Sequence, residues 1–470
     1  MSISETTIEL TSATKKMETS GLPLISKVSY GLLDFAGNLI YVFGSTYILY
    51  FYTDVAGISL GVAGTILFLV RIIDAVDAPI WGIIVDKTRS KYGKCRPWFL
   101  WLPLPFCVFS ALSFFSPDST LTVKVVWAAG IYVLSSITYT GINTPLSAIL
   151  ALLTPSPRER LECNSYRMVG SVLGTLLMNA TALPLVGYFG GDSQLTGFFA
   201  TATLFATISC LLHFFAFFNI RETVIQADDE TTKVSIRESF LALKNNYPWM
   251  IIVAGNLLFW IATQSRASSF IYYLTYSVPF KEHIAFINSI ASVSVFFVMI
   301  IPFYCHFVSK TTVWIVGLLI SSLGNIALFY SGDNYILLCL SWAVSNIGGG
   351  IACAMAFAMI PLAVDFGRWK TGKLVVGLLV ALGTTFCYKF GSGVGVGVGA
   401  WVMNTYGYAP NMEQSPSALE GISIAVVWFP TLVNLAGALV LLKLRKYEKN
   451  EKRYEQSHIK NESSNPVTSI

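Results

Sequence analysis

The chain has 470 residues, 54% hydrophobic and 14% aromatic, and only 12% are Asp, Glu, Lys or Arg, about half of the ~25% typical of soluble domains. Mean hydropathy is +0.62, and a net charge of +5 is too small to argue for nucleic acid. Composition therefore argues against a soluble enzyme, a nucleic-acid binder and a disordered chain, and indicates an all-α polytopic membrane protein.

The N-terminal stretch from Met1 to Lys27 is polar, so no cleaved signal peptide is expected, and the first apolar helix should direct insertion. Apolar segments of about 20 residues, the length a helix needs to cross a bilayer, start near Tyr30, Gly61, Trp98, Leu121, Tyr166 and Gly197. Six more start near Trp249, His283, Thr312, Asn334, Gly372 and Ile422. Backbone groups in lipid must be satisfied internally, so these blocks read as helices rather than alternating barrel strands.

The longest polar break, Arg221 to Pro248, divides the helices into two groups, and Ser235–Lys244 within it fits a short interfacial helix. The expected organisation is a tail at 1–28, a six-helix bundle at 29–220, a linker at 221–248, a second six-helix bundle at 249–444 and a tail at 445–470. Lys87, Arg89, Lys91, Lys94, Arg96, Arg158, Arg160, Lys310, Arg368, Lys370 and Lys373 fall in loops on one side, against Lys124 and Lys281 on the other. This asymmetry places both termini in the cytoplasm.

The eight cysteines are scattered without CxxC spacing, and the histidines show no metal spacing, so neither a disulfide framework nor a zinc site is indicated. No cofactor is expected. Among the polar residues within spans, Asp34 and Asn38 lie one turn apart in the first, with Tyr41 and Ser45 extending their face. Arg71, Asp74 and Asp77 follow at i,i+3 steps in the second. The fourth carries Tyr139, Thr140 and Asn143; Arg167, Arg266 and Lys389 stand in the fifth, seventh and eleventh.

An ionisable group inside a membrane helix needs a partner or a function. Asp74 and Asp77 fit a hard-cation site, to which Thr140 adds a hydroxyl, or a pair of acids sharing a proton. They are metal ligands only if the ion is sodium. The bland alternative is an Arg71–Asp74 ion pair that neutralises both. Lys389 fits a balancing charge. Asn38 and Asn143 suit neutral hydroxyls, and Tyr139 and Phe357 offer rings for a sugar to stack on. The alternating Gly391, Gly393, Gly395, Gly397 and Gly399 read as close helix packing.

The loop GIIVDKTRSKYGKCRPW, from Gly82 to Trp98, resembles the signature loop of the major facilitator superfamily. Tyr30 to Asn38 with FYTDVAG, RIIDAVDAP from Arg71, PSPRERL from Pro155, VDFGRWKTG from Val364 and the YKFGSG stretch around Lys389 are similar to the glycoside–pentoside–hexuronide:cation symporters, which include the melibiose carrier. The resemblance implies the major facilitator fold: twelve transmembrane helices in two six-helix halves, with the substrate site between them. It implies cation-coupled sugar uptake by alternating access, with either a proton or sodium as coupling ion.

By resemblance, Asp74, Asp77 and Thr140 bind the cation, while Lys389 and Arg71 couple. Sugar contacts match Asn38, Tyr139, Asn143, Ser147, Arg167 and Phe357, with Asp34 and Arg266 as further candidates. Asp86, Arg89, Lys94 and Arg96 form cytoplasmic latches. The family pattern D-A-x-x-D-P is altered, because Ala78 stands where the second acid belongs and Asp77 lies one place earlier. One residue turns a side chain by about 100° around a helix, which weakens the sodium assignment. Asn38, Asn143 and Ser147 replace two carboxylates and an indole of the melibiose carrier, so galactoside specificity does not carry over. The expected partners are a small sugar or glycoside and the lipid bilayer, with no nucleic acid and the chain monomeric. The alternatives are transport of an acidic sugar or other anion through Arg167, Arg266 and Lys389, a membrane-embedded sensor, and an intramembrane enzyme, the last lacking any catalytic constellation.

Overall fold

The computed structural model describes residues 22–154, 156–223, 246–294, 296–298, 307–360 and 382–445, and among these all regular structure is helical. The N-terminal half contains α1 (Leu24–Tyr50), α2 (Leu60–Lys87), α3 (Trp98–Trp101), α4 (Pro103–Leu112), α5 (Leu121–Leu153), α6 (Pro157–Gly190) and α7 (Gln194–Asn219). The C-terminal half contains α8 (Tyr247–Tyr272), α9 (Ile284–Ile290), α10 (Lys310–Phe329), α11 (Tyr335–Ala358), α12 (Cys387–Thr405), α13 (Pro416–Ser423) and α14 (Phe429–Leu442). Seven of the described helical stretches are long and apolar enough to cross a membrane. The expected interfacial helix at Ser235–Lys244, and the expected start near Gly372, lie outside the described residues.

Helix boundaries follow local chemistry more than apolar content. The fifth span was expected from Tyr166, but α6 begins at Pro157, where the Ser156 hydroxyl accepts from the Glu159 N–H at 3.5 Å. Ser156 is an N-cap, and the two polar turns after it are helical despite their charge. The third span is broken at Leu102, where Pro103 opens a new helix. Four π-helical turns interrupt or extend the spans, at Phe51–Val55, Tyr273–Ser277, Leu382–Phe386 and Ile424–Trp428. The first two continue α1 and α8, the opening helices of the two halves.

Within the N-terminal half α1 packs on α6 and α7, and α5 on α2 and α4; within the C-terminal half α10 packs on α11 and α14, and α8 on α12 and α14. Among the described residues the halves meet chiefly along α2 with α12, α1 with α8, and α6 with α9. The glycine series of α12 explains how one helix serves both halves. A Cβ at Gly391 or Gly395 would lie 2.8 Å from the Trp260 side chain or 2.4 Å from the Ile261 carbonyl, both on α8. A Cβ at Gly393 would lie 2.6 Å from the Arg71 Cβ on α2. Small residues thus admit close approach on two faces, and the packing reading of this series fits the contacts.

Candidate functional site

The crossing of α2 and α12 carries a compact polar cluster. Helical i,i+3 spacing stacks Arg71 and Asp74, and their side chains pair at 3.1 Å. The Ser136 hydroxyl of α5 donates to the other carboxylate oxygen of Asp74. Lys389 enters from α12. Its ammonium donates to the Asp74 backbone carbonyl (2.6 Å), the Thr140 hydroxyl (3.2 Å) and Asp77 Oδ1 (3.3 Å). Three donors thus meet three oxygens, one of them a carboxylate from the other half.

Asp77 Oδ2 is buried and has no hydrogen-bond partner among the described residues. A buried carboxylate oxygen that accepts nothing is costly. The displaced acid of the second span therefore still reaches Lys389 and lies by Thr140. The Arg71–Asp74 pair expected as the bland alternative exists as well, so the cluster holds two acids and two bases.

A row of aromatic rings crosses from this cluster into both halves. Tyr139 stacks on Tyr41 with ring centroids 4.3 Å apart and planes 12° from parallel. The Tyr41 and Tyr388 hydroxyls meet at 2.5 Å. Trp260 packs edge-on against Tyr388 at 4.5 Å, and Phe357 against Trp260 at 6.3 Å. The four rings from Tyr139 to Trp260 are half-buried and Phe357 is exposed, so the row borders open space. Of the sugar-contact candidates, Tyr139 and Phe357 belong to it.

The other candidates divide. Asp34 and Arg167 pair at 3.3 Å, and the Asn38 amide donates to the Asp34 carbonyl (2.8 Å) and the Ser171 hydroxyl (3.0 Å). Asp34, Tyr139 and Asn143 line one small cavity with His213, a residue that sequence spacing left without a role. Ser147, one turn past Asn143, is exposed. Arg266 is elsewhere: it is buried, donates to Asn325 (3.3 Å), Ser345 and Asn346 (3.2 Å), and lies over the Trp342 ring. All these partners belong to α10 and α11, so the structure shows it bracing the C-terminal half, where a substrate contact was expected.

The basic loop docks on its own half. Glu222, just past α7, accepts from the backbone N–H groups of Lys94 (2.9 Å), Cys95 (2.7 Å) and Arg96 (2.9 Å). Gly93 at φ +107° permits that approach, since a Cβ there would lie 2.4 Å from the Glu222 carboxyl carbon. Arg96 also donates to the Phe217 carbonyl (2.9 Å). Asp86 and Arg89 are exposed beside it. The basic residues expected between spans ten and eleven, Arg368, Lys370 and Lys373, lie outside the described residues.

At the end of the halves remote from the termini lies a second cluster that sequence reasoning missed. Asp54, in the π-helical turn after α1, accepts from Thr53 (2.6 Å), Tyr276 and Tyr408 (2.7 and 2.8 Å). The Asn411 amide donates to the Asp54 carbonyl (2.5 Å), and the Thr53 and Tyr272 hydroxyls meet at 2.8 Å. Burial raises the Tyr408 phenol well above its ordinary range, so it stays protonated and donates. Only the FYTDVAG stretch marked Asp54, and it marked no partner.

Two helical halves meeting on a charged cluster at mid-span are what a rocking carrier needs. The family described as MFS/sugar transport protein matches residues 29–446. The chain belongs to that family. It is a multi-pass membrane transporter by membership. Its relatives include the isoprimeverose transporter of Lactiplantibacillus pentosus, 34% identical over 93% of this chain and 92% of the relative. An uncharacterised symporter of Bacillus subtilis is 32% identical over 92% of this chain and 94% of its own length. Among solved structures, a bacterial homologue of the human lysosomal transporter Spinster, inward-facing and unoccupied, aligns with a TM-score of 0.69 at 14% identity, covering 91% of this chain and 97% of that one. That likeness shows the fold of the major facilitator family.

Proposed function

We propose that the protein imports a glycoside by cation symport, with both termini in the cytoplasm and the single chain as the working unit. The observation that carries this reading is the Asp77 carboxylate, tied through one oxygen to Lys389 of the other half while its second oxygen is buried with no partner among the described residues. A hard monovalent cation takes oxygen ligands. Asp77, Thr140 and the Asp74 carbonyl already surround one positive charge, the lysine ammonium.

A coupling ion entering here competes with Lys389 for those oxygens. Displacing the lysine loosens the tie between α2 and α12, and sugar bound along the aromatic row then decides which way the halves close. The Asp54 cluster is the latch that holds the external side shut. The oxygen set favours sodium. Isoprimeverose is the first substrate to test, given the relative of that name. An anionic sugar is the second cargo to test, given relatives named for the proposed import of sulfoquinovose, although Arg167, Arg266 and Lys389 are each engaged by protein partners.

The test is uptake into proteoliposomes holding the full chain. Accumulation of isoprimeverose driven by an inward sodium gradient supports the proposal. Collapse by a protonophore, with indifference to sodium, makes the ion a proton. Absence of accumulation under either gradient overturns symport of this sugar.

A further inference from the structure

The ion cluster and the aromatic row are joined by one closed set of contacts. Arg71 Nη1 donates both to Asp74 (3.1 Å) and to the Tyr41 hydroxyl (3.3 Å). The Tyr41 hydroxyl meets that of Tyr388 at 2.5 Å. Tyr388 directly precedes Lys389, whose ammonium returns to Asp74 and Asp77. Arg71 also stands beside the Tyr41 ring, 5.6 Å from its centroid. This circuit runs from α2 to α1, crosses to α12 and returns to α2, so it passes between the halves twice.

We propose that Tyr41 and Tyr388 are positioning residues that convert ion occupancy at Asp74 and Asp77 into a change in the sugar cavity. The proposal rests on the symport reading above. A phenol hydroxyl donates once and accepts twice, so a sugar hydroxyl can replace either partner of the Tyr41–Tyr388 contact without leaving an orphan. A cation seated among Asp77, Thr140 and the Asp74 carbonyl lies beside the Asp74 carboxylate and competes with Arg71 for it, which frees Arg71 to hold Tyr41 more fully and draw it from Tyr388. Separation of the two rings admits sugar between Tyr139, already stacked on Tyr41, and Trp260, already edge-on to Tyr388. Sugar inserted there holds the rings apart and keeps Arg71 off Asp74, so each ligand favours the other, as linkage requires.

The test uses the reconstituted full chain and Tyr41→Phe, Tyr388→Phe and the double variant, which keep each ring and remove only hydroxyls. The first measurement needs no sugar. Sodium should change the emission of Trp260, identified by its loss in Trp260→Phe, and Tyr41→Phe should abolish that change. An unchanged response in Tyr41→Phe, or no response in the wild type, overturns the proposal.

The second measurement is the affinity for isoprimeverose with and without sodium. The wild type should gain about tenfold from the ion, a coupling of about 1.4 kcal/mol. Each single variant should gain about twofold or less, and the double variant no less than either single one, because the hydroxyls act as a unit. Equal gains in the wild type and both variants overturn the proposal. A wild type that binds no isoprimeverose refutes the substrate assignment, while the emission measurement still decides the tyrosine pair.

Discussion

The two halves are joined by two carboxylate-centred junctions of different construction. At mid-span, Asp77 faces Lys389, with Asp74 and Arg71 alongside. At the end remote from the termini, Asp54 is held by neutral groups, three hydroxyls and a neighbouring side-chain amide on its carbonyl. A neutral donor to a carboxylate can be exchanged for water, so each such bond contributes about 1.5–3 kcal/mol. Opening an ion pair away from bulk water strands a charge, at about 3–5 kcal/mol. On the reading proposed above, the end junction can exchange its neutral donors one at a time for water as it parts, whereas the mid-span junction needs an incoming charge if it is to part without stranding one. That is the division of labour a symporter requires, with a gate at one place and ion control at another.

The sharpest way to break this contrast is Asp77→Asn. It leaves the Lys389 ammonium without its carboxylate, a cost of about 3 kcal/mol. Sodium-driven accumulation in proteoliposomes should fall about a hundredfold, in line with that energy. Retention of half the wild-type accumulation would refute the ion-site assignment. A double-mutant cycle with Lys389→Met sharpens the result. If Asp77 and Lys389 act through each other, their effects on thermal stability should depart from additivity by about 1–3 kcal/mol. Additive losses would mean that the contact is incidental.

Much of the mid-span junction was legible beforehand. The i,i+3 steps of Arg71, Asp74 and Asp77 announce a shared face, and an intramembrane lysine demands a partner. The displaced acid was legible as a shift on the helix but its partner was not: Asp77 contacts Lys389 because α12 approaches α2 over Gly393. The end junction was not legible. Asp54 meets Tyr276 and Tyr408 across sequence separations of 222 and 354, and phenols in an aromatic-rich chain carry no local signal. The partners of Arg266 were illegible for a related reason. A buried arginine looks functional in sequence, but Asn325, Ser345 and Asn346 satisfy it without an acid.

A bulky residue near the latch probes the end junction without touching a polar group. Gly64 of α2 faces Ala400 of α12, and an added Cβ would lie 2.5 Å from the Ala400 Cβ. Gly64→Leu should wedge the halves apart at this end. Uptake should slow about tenfold, as overpacking of about 1–3 kcal/mol disfavours the closed state. Sodium dependence should persist, since Asp77 and Lys389 are untouched. Loss of sodium dependence would show that the two junctions are not separable.

The mildest prediction concerns Tyr408→Phe. The phenol spans both Asp54 carboxylate oxygens, at 2.7 and 2.8 Å, yet Tyr276 and Thr53 remain as donors after its removal. The carboxylate is then underserved rather than stranded, and water supplies the missing donor once the halves part. Because Tyr276, Thr53 and water take up part of that bond's roughly 1.5–3 kcal/mol, the net loss should be about 1 kcal/mol, roughly a fivefold shift towards the open state. Ala400 is fully buried in the closed form, so an Ala400→Cys background reports opening through its rate of labelling by a membrane-impermeant maleimide. Tyr408→Phe should raise that rate a few-fold and leave sodium dependence intact. An unchanged rate would assign closure at this end to packing along α2 and α12, and Asp54 would then be a carboxylate that follows the gate rather than one that holds it.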